Sequence, residues 1–212
     1  MTEQASRQLL LDTSRRLLEL GLNRGSAGNA SLRCRDGMLI TPSALPVTEM
    51  TPESMVFLDL DGSVVRGGTP SSEWRFHRDI LASRPEIGAI IHTHSSFATT
   101  IACLGKEVPP VHYMIAMAGA DNIRCTPYAL FGGQCLSDHA LEALRERKAC
   151  LLGNHGMIAL GSDLADALAV TVEVEFLCEV YWRSLQAGEP RLLTAQQMHE
   201  VKRKFVDYKK PS

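Results

Sequence analysis

The chain of 212 residues is 45% hydrophobic and 22% charged, enough apolar content for a sizeable core and too much for disorder. A net charge of −2 gives no bulk attraction to nucleic acid or to an anionic membrane surface, and no apolar run approaches the length of a bilayer span. Six cysteines without a C-x-x-C pair read as buried free thiols of a reducing cytoplasm. The N-terminus carries no secretory pattern, because Leu9, Leu10 and Leu11 are soon followed by Asp12, Arg15 and Arg16.

Leucines at 9, 10, 11, 17, 18 and 20 with arginines between them predict an amphipathic helix over residues 5–20, stopped by Gly21. Residues 25–29 form a glycine-bounded loop. Residues 30–34 and 38–41 flank Asp36-Gly37, a strong hairpin signal. A helical turn at 51–53 precedes a strand over 55–60, which turns at Asp61-Gly62 into Val64 and Val65. Residues 71–73 open a helix running to about Ser83, closed by Arg84-Pro85. A strand over 87–94 follows. Ser95 and Ser96 cap a helix through Cys103, and residues 111–118 are helical. Residues 123–126 lead into a turn at Pro127, and 136–147 form a helix. Two apolar strands, 150–153 and 157–160, flank His155. The longest helix covers 163–186 and is stopped by Gly188 and Pro190; a capping box at 194–197 starts a terminal helix. No linker or repeat interrupts the chain, so one domain over 1–212 is expected. Strands joined by hairpins among helices predict an α/β fold with a mixed, largely antiparallel sheet.

His92 and His94 stand at the end of the 87–94 strand. Successive strand side chains alternate faces, so the two imidazoles share one. Burying both without a partner costs desolvation free energy. Two such rings form most of a catalytic zinc site, which takes three protein ligands and leaves a position open; His155, in the glycine-bounded turn 153–156, is a plausible third. Glu73 reads either as an ordinary first-turn carboxylate or as a base or displaceable ligand near a metal. His77, one turn later, reads as a packed histidine rather than a ligand. Ser71 and Ser72 are N-cap residues whose geometry also suits an anion, and the loop 25–29 suits a phosphate, although it lacks G-x-G-x-x-G and leads into a strand. Tyr113 and Tyr208 are candidate phenol proton donors, with nothing local to decide between that and packing. His112, His139 and His199 carry no assigned role.

Taken in order, residues 25–29 (Gly-Ser-Ala-Gly-Asn), 38–42 (Met-Leu-Ile-Thr-Pro), 70–77 (Pro-Ser-Ser-Glu-Trp-Arg-Phe-His), His92-x-His94, 112–116 (His-Tyr-Met-Ile-Ala), 127–132 and His155-Gly156 resemble the class II aldolase/adducin family nearly end to end. That resemblance implies a three-layer α/β/α domain with a mixed, mostly antiparallel sheet, in a homotetramer with active sites between subunits. It implies zinc, with manganese or cobalt as alternatives, on His92, His94 and His155, with Glu73 as a resting fourth ligand that leaves to become the base. It places a phosphate on Gly28, Asn29, Ser43, Ala44, Ser71 and Ser72, Tyr113 of a neighbouring subunit at the aldehyde, and Phe131 along the aldehyde's tail. Tyr208 is matched to the family's C-terminal tyrosine with a one-residue slip. The implied reaction is cleavage of a deoxyketose 1-phosphate such as L-fuculose 1-phosphate to dihydroxyacetone phosphate and an aldehyde through an enediolate. Alternatives are a pentulose-phosphate 4-epimerase, dehydratase or decarboxylase on the same scaffold, or a non-catalytic adducin-like module. Close aldolases of the family carry glycine where this chain has Ala44, which is strained if that position needs φ > 0.

Overall fold

Hairpin signals and helices resolve into one sheet in the computed structural model, which describes residues 2–35 and 37–208, with the side chains of 65 and 206–208 outside the description. The strands are β1 (Asn29–Cys34), β2 (Gly37–Ile40), β3 (Val56–Asp59), β4 (Val64–Arg66), β5 (Ala89–Thr93), β6 (Arg124–Cys125), β7 (Ala149–Leu152) and β8 (Gly156–Gly161). They lie in the order β4-β3-β2-β1-β5-β8-β7-β6. Every neighbouring pair is antiparallel except β6 with β7, so the sheet is mixed and mostly antiparallel.

The helices are α1 (Glu3–Glu19), α2 (Trp74–Ser83), α3 (Ser96–Cys103), α4 (Gln134–Ala143), α5 (Leu164–Ala187) and α6 (Ala195–Tyr208). Strand alternation sorts the core into layers. Met38, Ile40, Ile90, Cys150, Leu152, Ile158 and Leu160 pack with Phe76, Ile80 and Leu81 of α2 and Leu136 and Ala140 of α4. The intervening positions face the other way: Leu39, Ala89 and Ile91 meet α1, while Leu151, Met157 and Ala159 meet α3 and α5. Three layers, α/β/α, result.

Most boundaries match the sequence expectations, and the departures have local causes. α4 ends at Ala143 rather than at 147, because the chain turns through Leu144 and Glu146 takes φ 60. The helical stretch expected over 111–118 is a 3-10 helix over Tyr113–Ala118. The N-cap of α2 is Glu73 itself, not Ser71 or Ser72. Ser95 occupies the N-cap of α3, but its hydroxyl does not cap the helix. All six cysteines are free, yet Cys103 and Cys135 are exposed and only Cys150 and Cys178 are buried. No helix among the described residues is long and apolar enough to cross a membrane.

Candidate metal centre and active site

The end of β5, the β7–β8 turn and the start of α2 meet where the central strands of the sheet end. His92 is the penultimate residue of β5 and lies on the face covered by α2, where its ring meets Phe76 edge-on at 5.6 Å. His94 follows two positions on. His155 sits in the β7–β8 turn, which Asn154 enters at φ 56. Gly156 lets that turn close on β5, since a Cβ there would stand 2.3 Å from the Thr93 carbonyl.

Glu73, at the helix start, turns its carboxylate inward and is 6% exposed. Its Oε2 is 3.1 Å from His92 Nε2 and its Oε1 3.3 Å from His155 Nε2. His92 Nε2 and His94 Nε2 are 2.9 Å apart. The three ring centroids are mutually 4.8 Å apart with interplanar angles of 70–75°, a three-bladed arrangement with nitrogens turned to a common point. One ligand atom from each of the four residues lies within 4.8 Å of all the others. In a tetrahedral zinc site nitrogens lie about 2.0–2.1 Å from the ion, which puts them roughly 3.3 Å from each other.

The electrostatics fit a cation. His92 Nδ1–H donates to the Met157 carbonyl at 2.8 Å, which fixes the ring and leaves Nε2 aimed into the cluster. Glu73 Oε1 is buried without a hydrogen bond. Burial raises the Glu73 pKa, but His92, then His155 and Asn29, more than offset it and hold the carboxyl well below the usual range. Burial and the neighbouring His92 lower His94 and His155 to about 4, so both rings are neutral at pH 7, the form that ligates. Burial opposes charge on His92 too, yet Glu73 outweighs it and raises that pKa. Fixed negative charge ringed by imidazoles favours positive charge at the centre.

Beside the quartet opens a cavity of about 370 Å³. Gly28, Asn29, Ser43, Ala44, Ser71, Ser72 and Phe131 all line it, together with Glu73, His94 and His155. Gly28 takes φ 76 and Ala44 takes φ 56, a left-handed conformation that alanine rarely adopts. The Asn29 amide is turned to Glu73 and His77. His77 is fully buried within hydrogen bonds, a packed histidine as its position suggests. Tyr113 lies elsewhere, half exposed against His112 and Phe205. The Tyr208 side chain falls outside the described residues. Sequence reasoning passes over Tyr128 and Asn154, which also line the cavity; the glycine-bounded turn 153–156 is the signal that points to Asn154. It also misses Glu175, whose carboxylate accepts from Phe97 N–H, Ala98 N–H and the Ser95 hydroxyl beneath the His94 turn.

Comparison with known proteins agrees with this geometry. The class II aldolase and adducin N-terminal domain family matches residues 8–182. The chain is 52% identical over 204 residues to the 5-methylthioribulose-1-phosphate/5-deoxyribulose-1-phosphate aldolase of Rhodospirillum rubrum, covering 96% of this chain and 92% of that one. It is 43% identical over 200 residues to the L-fuculose phosphate aldolase of Escherichia coli K12, covering 94% and 93%. Among solved structures, an L-fuculose 1-phosphate aldolase superposes with a TM-score of 0.92 at 37% identity, covering 95% of this chain and 96% of that one. The chain belongs to the class II aldolase/adducin family. Within it, the histidine–glutamate cluster and the aldolase relatives define a metal-dependent aldehyde-lyase of sugar-phosphate metabolism.

Proposed function

We propose that the protein cleaves a deoxyketose 1-phosphate with a short apolar tail into dihydroxyacetone phosphate and an aldehyde. A 5-deoxypentulose 1-phosphate, with or without a sulfur-bearing tail, is the preferred substrate; L-fuculose 1-phosphate is the second option. One observation carries this reading. The His–His–His–Glu cluster opens, through Glu73, His94 and His155, onto a cavity lined by hydroxyls and tight backbone (Ser43, Ala44, Ser71, Ser72) and by rings (Tyr128, Phe131). The 52% identical relative supports the deoxypentulose choice.

His92, His94 and His155 hold the ion, with Glu73 as the resting fourth ligand. Zinc suits imidazole ligation, with manganese or cobalt as alternatives. A divalent ion there supplies Lewis acidity toward the ketose carbonyl and charge compensation for the carbanion equivalent. Among the described residues, no lysine or arginine lines the cavity, so the phosphate rests on the Ser43, Ser71 and Ser72 hydroxyls and on free N–H groups, with the start of α2 beside it. Glu73 moves the proton. Held by His92, His155 and Asn29 it is a weak base; freed of those contacts, burial would raise its basicity. Phe131 and Tyr128 bound the tail. Tyr113, which does not line the cavity of its own chain, serves the aldehyde oxygen of a neighbouring copy in a homotetramer, and Tyr208 supports the same step.

The test is to incubate the zinc-loaded protein with dihydroxyacetone phosphate and acetaldehyde, methylthioacetaldehyde or lactaldehyde, and to identify the products. A ketose 1-phosphate from the first two at the higher kcat/KM is expected. No condensation with any aldehyde would overturn the reading, and C4 inversion of a pentulose phosphate would replace it with the epimerase alternative.

A further inference from the structure

Behind Glu73 a run of buried polar groups continues past Asn29 to His77 and Ser31, which the proposed chemistry does not itself use. Asn29 Nδ2 donates to Glu73 Oε2 at 2.9 Å. Asn29 Oδ1 is 2.5 Å from His77 Nε2, and His77 Nδ1 is 2.7 Å from Ser31 Oγ. Ser31 and His77 expose no surface, and Asn29 is 7% exposed. The placement follows from two periodicities. Asn29 and Ser31 are two apart on β1 and share a face; Glu73 and His77 are four apart at the start of α2 and share a side. Strand and helix therefore supply the members alternately.

Each hydrogen bond in this run has its direction forced from the acid outward. An ionised carboxylate only accepts, so the Asn29 NH2 group faces Glu73 and its carbonyl faces His77. That carbonyl also only accepts, so the ring proton sits on His77 Nε2. In the neutral ring Nδ1 is then an acceptor, and the Ser31 hydroxyl donates to it. Burial, then His92, lowers the His77 pKa to about 3, with Glu73 opposing, which keeps the ring neutral.

We infer that His77 is a positioning residue for the acid: its Nε2–H locks the Asn29 amide in the one orientation that presents NH2 to Glu73. The carboxylate is thereby held with Oε2 between Asn29 and His92 and with Oε1 toward His155. Without that donor the amide can turn its carbonyl to Glu73, two acceptors meet, and the acid leaves its place. His77 also stacks on Phe76 at 4.5 Å, so the test must separate hydrogen bonding from packing.

The inference rests on Glu73 being the acid of the aldolase reading, but two of its readouts need no substrate. Long-range 15N–1H NMR of the histidine rings in the zinc-loaded wild type reports the tautomer. The Nε2–H form of His77 is expected, and the Nδ1–H form would overturn the inference. Zinc affinity by competition with a chromogenic chelator and proton exchange from dihydroxyacetone phosphate are then compared in His77→Leu and His77→Gln. The leucine variant is expected to lose about 10–100-fold in each, with a smaller change in KM, and glutamine, which retains an N–H donor, to recover most of it. Equal losses in both variants, or a leucine variant within about threefold of wild type, would refute it. If the leucine variant does not fold, the wild-type tautomer and His77→Gln carry the test: an Nδ1–H ring, or a folded glutamine variant that loses more than about tenfold in both readouts, would count against the inference. Failure of exchange in the wild type would instead sink the aldolase reading alone.

Discussion

Ala44 holds a backbone conformation that its side chain disfavours. At φ 56 an L side chain is strained by roughly 1–2 kcal/mol, while glycine would add about 0.4–1 kcal/mol of unfolded-chain entropy. Ala44→Gly is therefore expected to stabilise the protein by about 0.5–1 kcal/mol, a rise of a few degrees in Tm by calorimetry. Glu73→Gln should keep the ion on three imidazoles and slow proton exchange from dihydroxyacetone phosphate by about 10²–10⁴-fold; unchanged solvent-tritium incorporation would remove Glu73 as base. His94→Ala should lose metal and activity together, checked by metal content. Acid should destabilise the chelator-treated protein. Unfolded imidazoles take protons near pH 6.5, whereas folded His94 and His155 resist until about 4 and His77 until about 3. The unfolded state thus binds more protons below 6.5, and stability falls as pH drops from there toward 4. His92, raised, has the opposite sign, and its contribution is lost only as pH climbs through its folded pKa. Denaturant midpoints across that window check the slope. The strand-end pair His92 and His94 is legible in sequence because strand periodicity places both on one face. The partners of Asn29 are not, since nothing local says that an amide on β1 will meet a histidine on α2.

At the scale of elements, the turn that carries His94 is held from the opposite layer. Glu175 on α5 accepts from Phe97 N–H at 2.8 Å, Ala98 N–H at 2.9 Å and the Ser95 hydroxyl at 2.7 Å, so a distant carboxylate caps α3 where Ser95 does not. Thr93, whose side chain faces away from His92, donates to the same serine. Glu175→Ala is expected to cost about 1–2 kcal/mol, the range of a lost cap, and to weaken metal binding by letting His94 drift. Thermal midpoints and chelator competition measure the two effects, and stability loss with unaltered metal affinity would confine Glu175 to a structural role. The serine pair before α3 looks like an ordinary cap in sequence. A 24-residue helix gives no sign of which of its glutamates turns inward; only packing decides that.

For the molecule as a whole, the layer architecture is legible because hairpin signals and hydrophobic periods recur in order, whereas the strand order is not. β5 lies between β1 and β8, and this long-range pairing brings residues near 29, 73, 92 and 155 together at the ends of central strands. Assembly is the remaining question at this scale. Tyr113 is 50% exposed and does not line the cavity of its own chain. A homotetramer is expected by light scattering, and Tyr113→Phe should lower kcat more than KM. A fully active monomer would end the claim that a neighbouring copy completes the site.

Ser71, Ser72 and Glu73 are consecutive at the start of α2, so the spacing between the proposed phosphate seat and the acid is written into covalent bonds, about 3.8 Å from one Cα to the next. The head of the substrate is thus gauged by a rigid ruler, whereas the rings that line the cavity, Tyr128 and Phe131, are exposed. An analogue lengthened by one carbon between phosphate and carbonyl should miss register with the acid however well its tail fits, whereas changes beyond the cleaved bond should cost less.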